Sequence, residues 1–297
     1  MKRYVLVGLL AGLLSVELAS AQSFFAMRRD RSLLFVGGTG TSTYLGELSN
    51  DGDYLQAKLN VNVGLQYYFT SRIGVRADIT WFQLTGSDAK SADETRKYRN
   101  LSFSSNNYEI SGVALVSLYP QGRSFYQRPS FNVYGFVGLG LCYFNPTADY
   151  KGQTYTLAPL HTELVEYSRV TPVIPMGLGL RFKVGPFVNL SFEGGFRKTF
   201  TDYLDDVSTV HHDASKFSDP IAYALSDRGQ ELTPPYGPSV EGSIRGNPKT
   251  MDAYMLFNAK IEYYLPTNFL EKDRGQKKFK NKRKSFYRYN KRGGLKK

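Results

Sequence analysis

The chain has 297 residues, with 38 Lys and Arg against 26 Asp and Glu, and a formal net charge of +12. A single cysteine, Cys142, excludes an intrachain disulfide framework, and no stretch beyond the N-terminal segment has the ~18 consecutive apolar residues of a membrane-spanning helix. With 22 Tyr, 20 Phe and 28 Gly, the composition points to a strand-rich body, either a soluble sandwich or a membrane barrel.

The charge lies at one end. Lys272 to Lys297 holds thirteen bases and one acid, Asp273, which equals the net charge of the whole chain and leaves the body near neutral. At the other end, Lys2 and Arg3 precede an apolar run, Tyr4–Leu14, and Ala19-Ser20-Ala21 reads as a cleavage site before Gln22. This is the pattern of a secretory signal peptide over residues 1–21. The apolar run is too short for an anchor that spans, and no cysteine follows the cleavage site to suggest a lipoprotein.

The first expected strand is Ser32–Gly40. The second and third are the clearest. Leu59, Val61, Val63, Leu65, Tyr67 and Phe69 alternate with Asn60, Asn62, Gly64, Gln66 and Tyr68. After Thr70-Ser71, Ile73, Val75, Ala77, Ile79 and Trp81 alternate with Arg72, Arg76, Asp78 and Thr80. In the fourth, Tyr108, Ile110, Ala114, Val116 and Leu118 alternate with Glu109, Ser111 and Ser117. The fifth, Phe131–Phe144, is a Gly-rich apolar run whose two faces the pattern does not separate. In the sixth, Ile174, Met176, Leu178, Leu180 and Phe182 alternate with Arg181 and Lys183. In the seventh, Val188, Leu190, Phe192 and Phe196 alternate with Asn189, Ser191, Glu193 and Arg197. The eighth sets Met255, Phe257, Ala259, Ile261 and Tyr263 against Asn258, Lys260 and Glu262.

Period-two alternation sustained over ~11 residues exceeds the ~5–6 of a sandwich strand and matches the ~9–11 of a membrane barrel strand. The links alternate too. Long ones (Thr41–Ala57, Thr85–Ser102, Asn145–Pro172, Lys198–Asp252) are interleaved with shorter ones at Thr70-Ser71, Pro120–Pro129 and Val184-Gly185-Pro186. Outer-membrane barrels have this rhythm of short periplasmic turns and long external loops. The expected fold is therefore all-β: an eight-stranded antiparallel transmembrane β-barrel over residues 22–265, followed by a basic tail, 266–297. An even strand number puts both ends, and hence the tail, on the periplasmic side of an outer membrane.

In a bilayer the apolar face of each strand meets lipid and the polar face turns inward. An eight-stranded barrel is narrow enough for side chains to fill. Arg76, Asp78, Glu109, Arg181, Lys183, Glu193, Arg197, Lys260 and Glu262 are thus expected to form an internal charge network that plugs it. Tyr67, Tyr68, Phe69, Trp81, Phe82, Tyr143, Phe144, Tyr263 and Tyr264, near strand ends, are expected in interfacial girdles.

Other constellations are weaker. The Gly clusters at Gly37, Gly138 and Gly177 open no helix, so they read as strand glycines rather than phosphate loops. His211-His212-Asp213 follows Asp205-Asp206 in the last long loop and reads as a polar surface loop, with no third metal ligand fixed by spacing. Together with His161, these histidines keep open a barrel enzyme acting on membrane lipid. Cys142 reads as a lipid-facing or packed small hydrophobe. The tail mixes bases with Phe279, Phe286, Tyr287 and Tyr289. Behind a signal peptide nucleic acid is out of place as a partner. A disordered solvated tail, a segment lying on anionic headgroups, and a dock for a periplasmic protein all remain open.

Several stretches carry a resemblance. They are "TYLGEL" at Thr43–Leu48, "LTGSDAKSAD" at Leu84–Asp93, "RNLSFSSNNYEIS" at Arg99–Ser111 and "EGGFRKTFTDYLDDVS" at Glu193–Ser208. Together they resemble the PorG-like outer-membrane barrel family of Bacteroidota, a component of the type IX secretion system. The likeness runs from strand one to strand eight and leaves out the fourth long loop and the tail. It implies no catalysis and no cofactor. It implies an anchor for a periplasmic ring built from a lipoprotein and its partner, PorK and PorN in family terms. Barrel topology then makes Gln121, Arg123 and Arg128 of one turn, and Lys277, Lys278, Phe279, Lys282, Arg283, Lys284, Phe286, Tyr287 and Arg288 of the tail, the candidate contact surface. The competing expectations are the lipid enzyme and a small pore or adhesion barrel.

Overall fold

Alternating side chains can satisfy lipid outside and polar groups inside only if the sheet has no edge, and the chain meets that condition. The computed structural model describes residues 32–50, 57–120 and 128–265. Its strands are β1 (Leu33–Leu45), β2 (Lys58–Tyr68), β3 (Ile73–Ser87), β4 (Ser102–Ser117), β5 (Phe131–Tyr143), β6 (Pro146–Tyr150), β7 (Gln153–Thr156), β8 (Val170–Lys183), β9 (Val188–Thr199) and β10 (Ala253–Tyr264). Two short helices, α1 (Glu94–Arg99) and α2 (Pro220–Ser226), lie in the loops. Apart from the loop hairpin β6–β7, each strand pairs antiparallel with a neighbour on both sides, and β10 closes onto β1 from Leu34↔Tyr264 to Leu45↔Ala253. The result is a closed eight-stranded barrel. Pairing of β5 with β8 lapses between Val137↔Met176 and Gly140↔Val173, opposite Pro175, which has no N–H to give.

The outer face is apolar: Leu59, Val63, Ile79, Ile110, Leu139, Leu178 and Ile261 are all exposed. Among the described residues no helix is long and apolar enough to cross a membrane. The inner face is polar apart from a patch of Val113, Leu115, Tyr134 and Phe136 on β4 and β5. Asn60, Asn62, Gln66, Arg76, Asp78, Glu109, Arg181, Glu193, Lys260 and Glu262 are buried.

The structure also sorts β5. Val137, Leu139, Leu141 and Tyr143 face outward, while Tyr134, Phe136 and Cys142 turn into the lumen. Glycines opposite make room for them. A Cβ on Gly179 would lie 2.3 Å from Cζ of Tyr134, so the aromatic ring occupies the space that a side chain on β8 would need.

Several expected boundaries and faces are corrected. β1 runs on to Leu45, and β3 and β4 reach Ser87 and back to Ser102, because their ends are held by pairing that local composition does not reveal. β8 begins at Val170 rather than near Ile174. Of the expected girdle, Tyr67, Phe69, Tyr143 and Tyr263 are exposed and Trp81 is half-exposed on the outer face, but Tyr68, Phe82, Phe144 and Tyr264 are buried inside. Neighbours on a strand must point to opposite faces, so each consecutive aromatic pair sends one ring inward.

Those inward rings close the two ends. At the short-turn end Leu34, Val36, Tyr68, Phe187 and Tyr264 form one cluster. At the loop end Tyr44, Phe82, Phe144, Tyr254 and Leu256 join residues of the loops in a larger one.

Between the two clusters lies the ion-pair network. Glu193 accepts from Arg76 Nη1 at 2.5 Å and Nη2 at 3.0 Å, from Tyr134 Oη at 2.6 Å, and pairs with Lys260 Nζ at 2.7 Å. Arg76 Nε also donates to Asp78 at 2.6 Å. Arg181 donates to Glu262 at 2.6 Å and stacks 4.3 Å from the ring centroid of Tyr134. Glu109 accepts from Tyr254 Oη at 2.7 Å and lies 3.6 Å from Arg197 Nε. Arg76, Arg181, Arg197 and Lys260 therefore balance Asp78, Glu109, Glu193 and Glu262. Lys183, expected among them, sits instead at the strand end and is only half-buried.

Removing one partner from such a network leaves uncompensated buried charge. Glu193→Ala should lower the unfolding free energy by about 3–5 kcal/mol, read by urea titration of the barrel in lipid vesicles. A loss below about 1 kcal/mol would show that Asp78 alone balances Arg76 and Lys260.

Candidate functional site

The loop end is a built cap. Loop 2, between β3 and β4, is organised by Asp88, which is fully buried and accepts from Arg96 Nε at 3.0 Å, Arg99 Nε at 2.7 Å and the Leu101 N–H at 3.2 Å. Its helix α1 starts where Asp93 accepts from the Thr95 N–H and stops where Asn100 turns left-handed at φ 55°. In loop 4, between β9 and β10, Asp219 caps α2 through the Ile221 N–H, and Pro220 supplies the preset φ of a first helical turn.

Loop 3, between β5 and β8, is tied to loop 4 through Glu163. Its carboxylate accepts from the backbone N–H groups of Ser208 and Thr209, each at 2.9 Å, and from Arg245 Nη1 at 2.6 Å. Arg245 also donates to the carbonyls of Asp206 and Ser226. Burial alone would raise the Glu163 carboxyl; Arg245 and the Ser208 N–H hold it below its usual value. Asp206 has weaker compensation, and burial pushes it up to about 6.

Beside this hub is a second acidic group. Glu47, Asp202 and Asp252 bring carboxylate oxygens within 4.8 Å of one another. They come from the loop after β1 and from the two ends of loop 4. Burial raises Asp202 to about 7, and burial with the neighbouring charge of Asp205 raises Asp252 well above the usual carboxylate range.

This environment corrects the reading of Asp205, Asp206 and His211 as a solvated loop. All three are buried in the cap. His211 is held by backbone bonds to Ser243 and Gly242, and its imidazole sits near Arg245. His161 and His212 are half-buried. Among the described residues no hydroxyl or thiol is hydrogen-bonded to a histidine ring.

The turn and the tail of the expected contact surface fare differently. Arg128 is buried, donates to the carbonyls of Gly185 and Pro186 at 3.1 and 2.9 Å, and lies 4.3 Å over the ring of Tyr264. It seals the short-turn end, because a guanidinium can bond carbonyls and stack on an aromatic face at once. Gln121, Arg123, Lys277, Lys278, Phe279, Lys282, Arg283, Lys284, Phe286, Tyr287 and Arg288 lie outside the described residues.

The cap residues that sequence reasoning missed are Asp88, Glu163, Asp202, Arg245 and Asp252. The acidic density of "TDYLDDVS" is a visible signal, but Ser208 meets Glu163 across 45 residues and Tyr44 meets Asp252 across 208.

A family model described as "Domain of unknown function (DUF6089)" matches residues 14–218. No curated protein matches the sequence. Solved structures similar to it include Neisserial surface protein A, at 9% identity and a TM-score of 0.41, over 78% of this chain and 97% of that one. Another is Ail, the attachment invasion locus protein of Yersinia pestis, at 11% identity and a TM-score of 0.38, over 79% of this chain and 99% of that one. A third is the outer membrane enzyme PagL, at 11% identity and a TM-score of 0.30, over 80% of this chain and all of that one. At such identities and TM-scores these likenesses bear on neither activity nor partner.

Burial, reinforced by the charge of Arg245, lowers His211 from 6.5 to about 4, so the folded cap holds it neutral. Below about pH 6.5 the unfolded loop takes a proton that the folded one refuses, and this contribution to cap stability is lost as pH falls toward 4. The ring-proton NMR signal of His211 should stay unshifted at pH 6 and move only toward pH 4; a midpoint near 6.5 would place the ring in water.

Proposed function

The chain belongs to the family described as "Domain of unknown function (DUF6089)", a description that names no activity, and we propose that it is a non-enzymatic outer-membrane barrel that anchors the periplasmic ring of a type IX secretion machine. The observation that carries this reading is the filled lumen. A balanced ion-pair network occupies its middle, the Tyr264–Arg128 plug one end and the loop cap the other. A barrel of this kind is a solid body in the membrane, suited to hold something in place rather than to conduct.

The secretion role draws on the stretches "TYLGEL", "RNLSF" and "TFTDYLDDVS", which resemble the PorG-like family. Topology adds a second support. The chain enters at Ser32 and leaves at Leu265 on the short-turn side, where Tyr68 bonds Ser32 and Tyr264 bonds Phe187. In an outer membrane that side is the periplasm, and the proposal puts the basic tail there, in the compartment where a ring lipoprotein and its partner would stand. With Arg128 committed to the plug, the tail carries the proposed contact, its bases for complementarity and Phe279, Phe286 and Tyr287 as anchors. The lipid-enzyme reading has less support: His211 is buried against Arg245, and among the described residues no hydroxyl nucleophile is bonded to its ring.

Affinity purification of the full chain from gently solubilised outer membranes should recover a periplasmic lipoprotein and its partner, and deletion of Lys272–Lys297 should abolish that recovery. A chain that purifies alone would sink the anchor. In planar bilayers the protein should show no conductance steps; steady single-channel currents would reinstate the pore. Replacing His161, His211 and His212 together should leave secretion intact, whereas loss with the cap still folded would favour an enzyme.

A further inference from the structure

We propose that Glu47, Asp202 and Asp252, with Asp205 beside them, form a calcium site that fastens the first and fourth loops over the mouth of the barrel. Such a site is independent of the secretion reading.

The geometry is that of a prepared oxygen cage. The three carboxylates present oxygens within 4.8 Å of one another. One Ca²⁺, with Ca–O distances of about 2.3–2.6 Å, can span that separation. Asp202 is 6% exposed, and neither of its buried carboxylate oxygens has a hydrogen-bond partner. An unpartnered buried carboxylate is costly unless something binds it. Asp252 is 1% exposed and firmly oriented: Oδ1 accepts from Tyr44 Oη at 2.5 Å and Oδ2 from the Leu204 N–H at 2.9 Å. Each of these oxygens keeps a lone pair for a cation, and the bonds fix its direction, as supporting groups do around metal ligands. Asp205 is fully buried, takes the Val207 N–H on Oδ1 at 3.0 Å, and leaves Oδ2 without a partner.

The chain also makes room for the approach. A Cβ on Gly46 would fall 1.9 Å from Tyr44 Oη and 2.1 Å from Asp252 Oδ1, so only glycine lets the loop before Glu47 close down on this pair.

Counter-charge from the protein is insufficient. Arg99 is the base that acts on Glu47 and Asp205, but its Nε and Nη2 are bonded to Asp88 at 2.7 and 2.9 Å and its Nη1 to the carbonyl of Arg245. Among the described residues, Glu47 and Asp205 therefore share an arginine that Asp88 already claims. The donor set is all oxygen, without His or Cys, which selects a hard divalent ion. Ligands drawn from three separate segments suit the flexible shell of calcium better than the strict octahedron of magnesium. Glu47 lines a cleft of about 500 Å³ shared with Arg99, His211 and Arg245, so one of the three carboxylates is reached from the surface.

The full chain, purified in detergent free of lipopolysaccharide and stripped with EDTA, should bind one Ca²⁺ by titration calorimetry. Binding should slow proteolysis of loop 4. Asp202→Asn should weaken binding by roughly tenfold or more, while Asp213→Asn, on the exposed part of the loop, should not. Heat-modifiable migration on SDS gels reports in each case that the barrel is folded. Absence of saturable binding to the folded wild-type chain, or equal affinity in Asp202→Asn, would overturn the site. Preference for magnesium over calcium would overturn the ion.

Discussion

The molecule depends on the hydrogen-bonded seam between its first and last strands. Inside a bilayer an unpaired backbone N–H or C=O costs several kcal/mol, and a row of them along an open edge could not be tolerated. Pairing of β1 with β10 removes the edge. Once the sheet is a tube, each strand has an inside and an outside, and the period-two pattern becomes a rule about solvent. Apolar residues at odd positions of β2 and β3 meet hydrocarbon, and polar ones at even positions meet one another.

The lumen poses a problem of charge rather than of volume. Four bases and four acids share a space from which water is largely excluded, and they persist because each has a partner of opposite sign or an aromatic face. Glu193 shows the pattern best, held by Arg76, Lys260 and Tyr134 from three different strands. The aromatic rings at both ends shield this network from water, so the ion pairs are strong and also unforgiving of deletion.

Period two made the barrel legible in the sequence, and it put eight of the nine expected interior charges where they are found. Lys183 failed because position on a strand matters as much as parity: at the end of β8 a lysine can reach out of the tube. The faces of β5 were illegible because glycine is silent on both sides. Tyr134 and Phe136 turn inward only because Gly179 and Gly177 lie across from them. Consecutive aromatics suggest girdles by composition, although alternation itself sends Tyr68, Phe82, Phe144 and Tyr264 inside. The cap was the least legible part. Glu163 meets Ser208, and Tyr44 meets Asp252, across distances in sequence that no local pattern spans. Arg128 was misplaced for the same reason, since its partner Tyr264 lies at the far end of the chain.

The seam has a consequence in time. Tyr44 and Leu45 end β1, and they register against Tyr254 and Ala253 at the start of β10. Asp252 is the residue just before that strand, and it is the one that Tyr44 holds. Zipping the last strand onto the first therefore latches the cap in the same motion. Because this contact joins opposite ends of the polypeptide, it carries the largest loop-closure cost and comes late in folding. A chain truncated before Ala253 would have neither a sealed wall nor a fastened roof. Completeness of synthesis is thus built into the architecture as a condition for burying any of it.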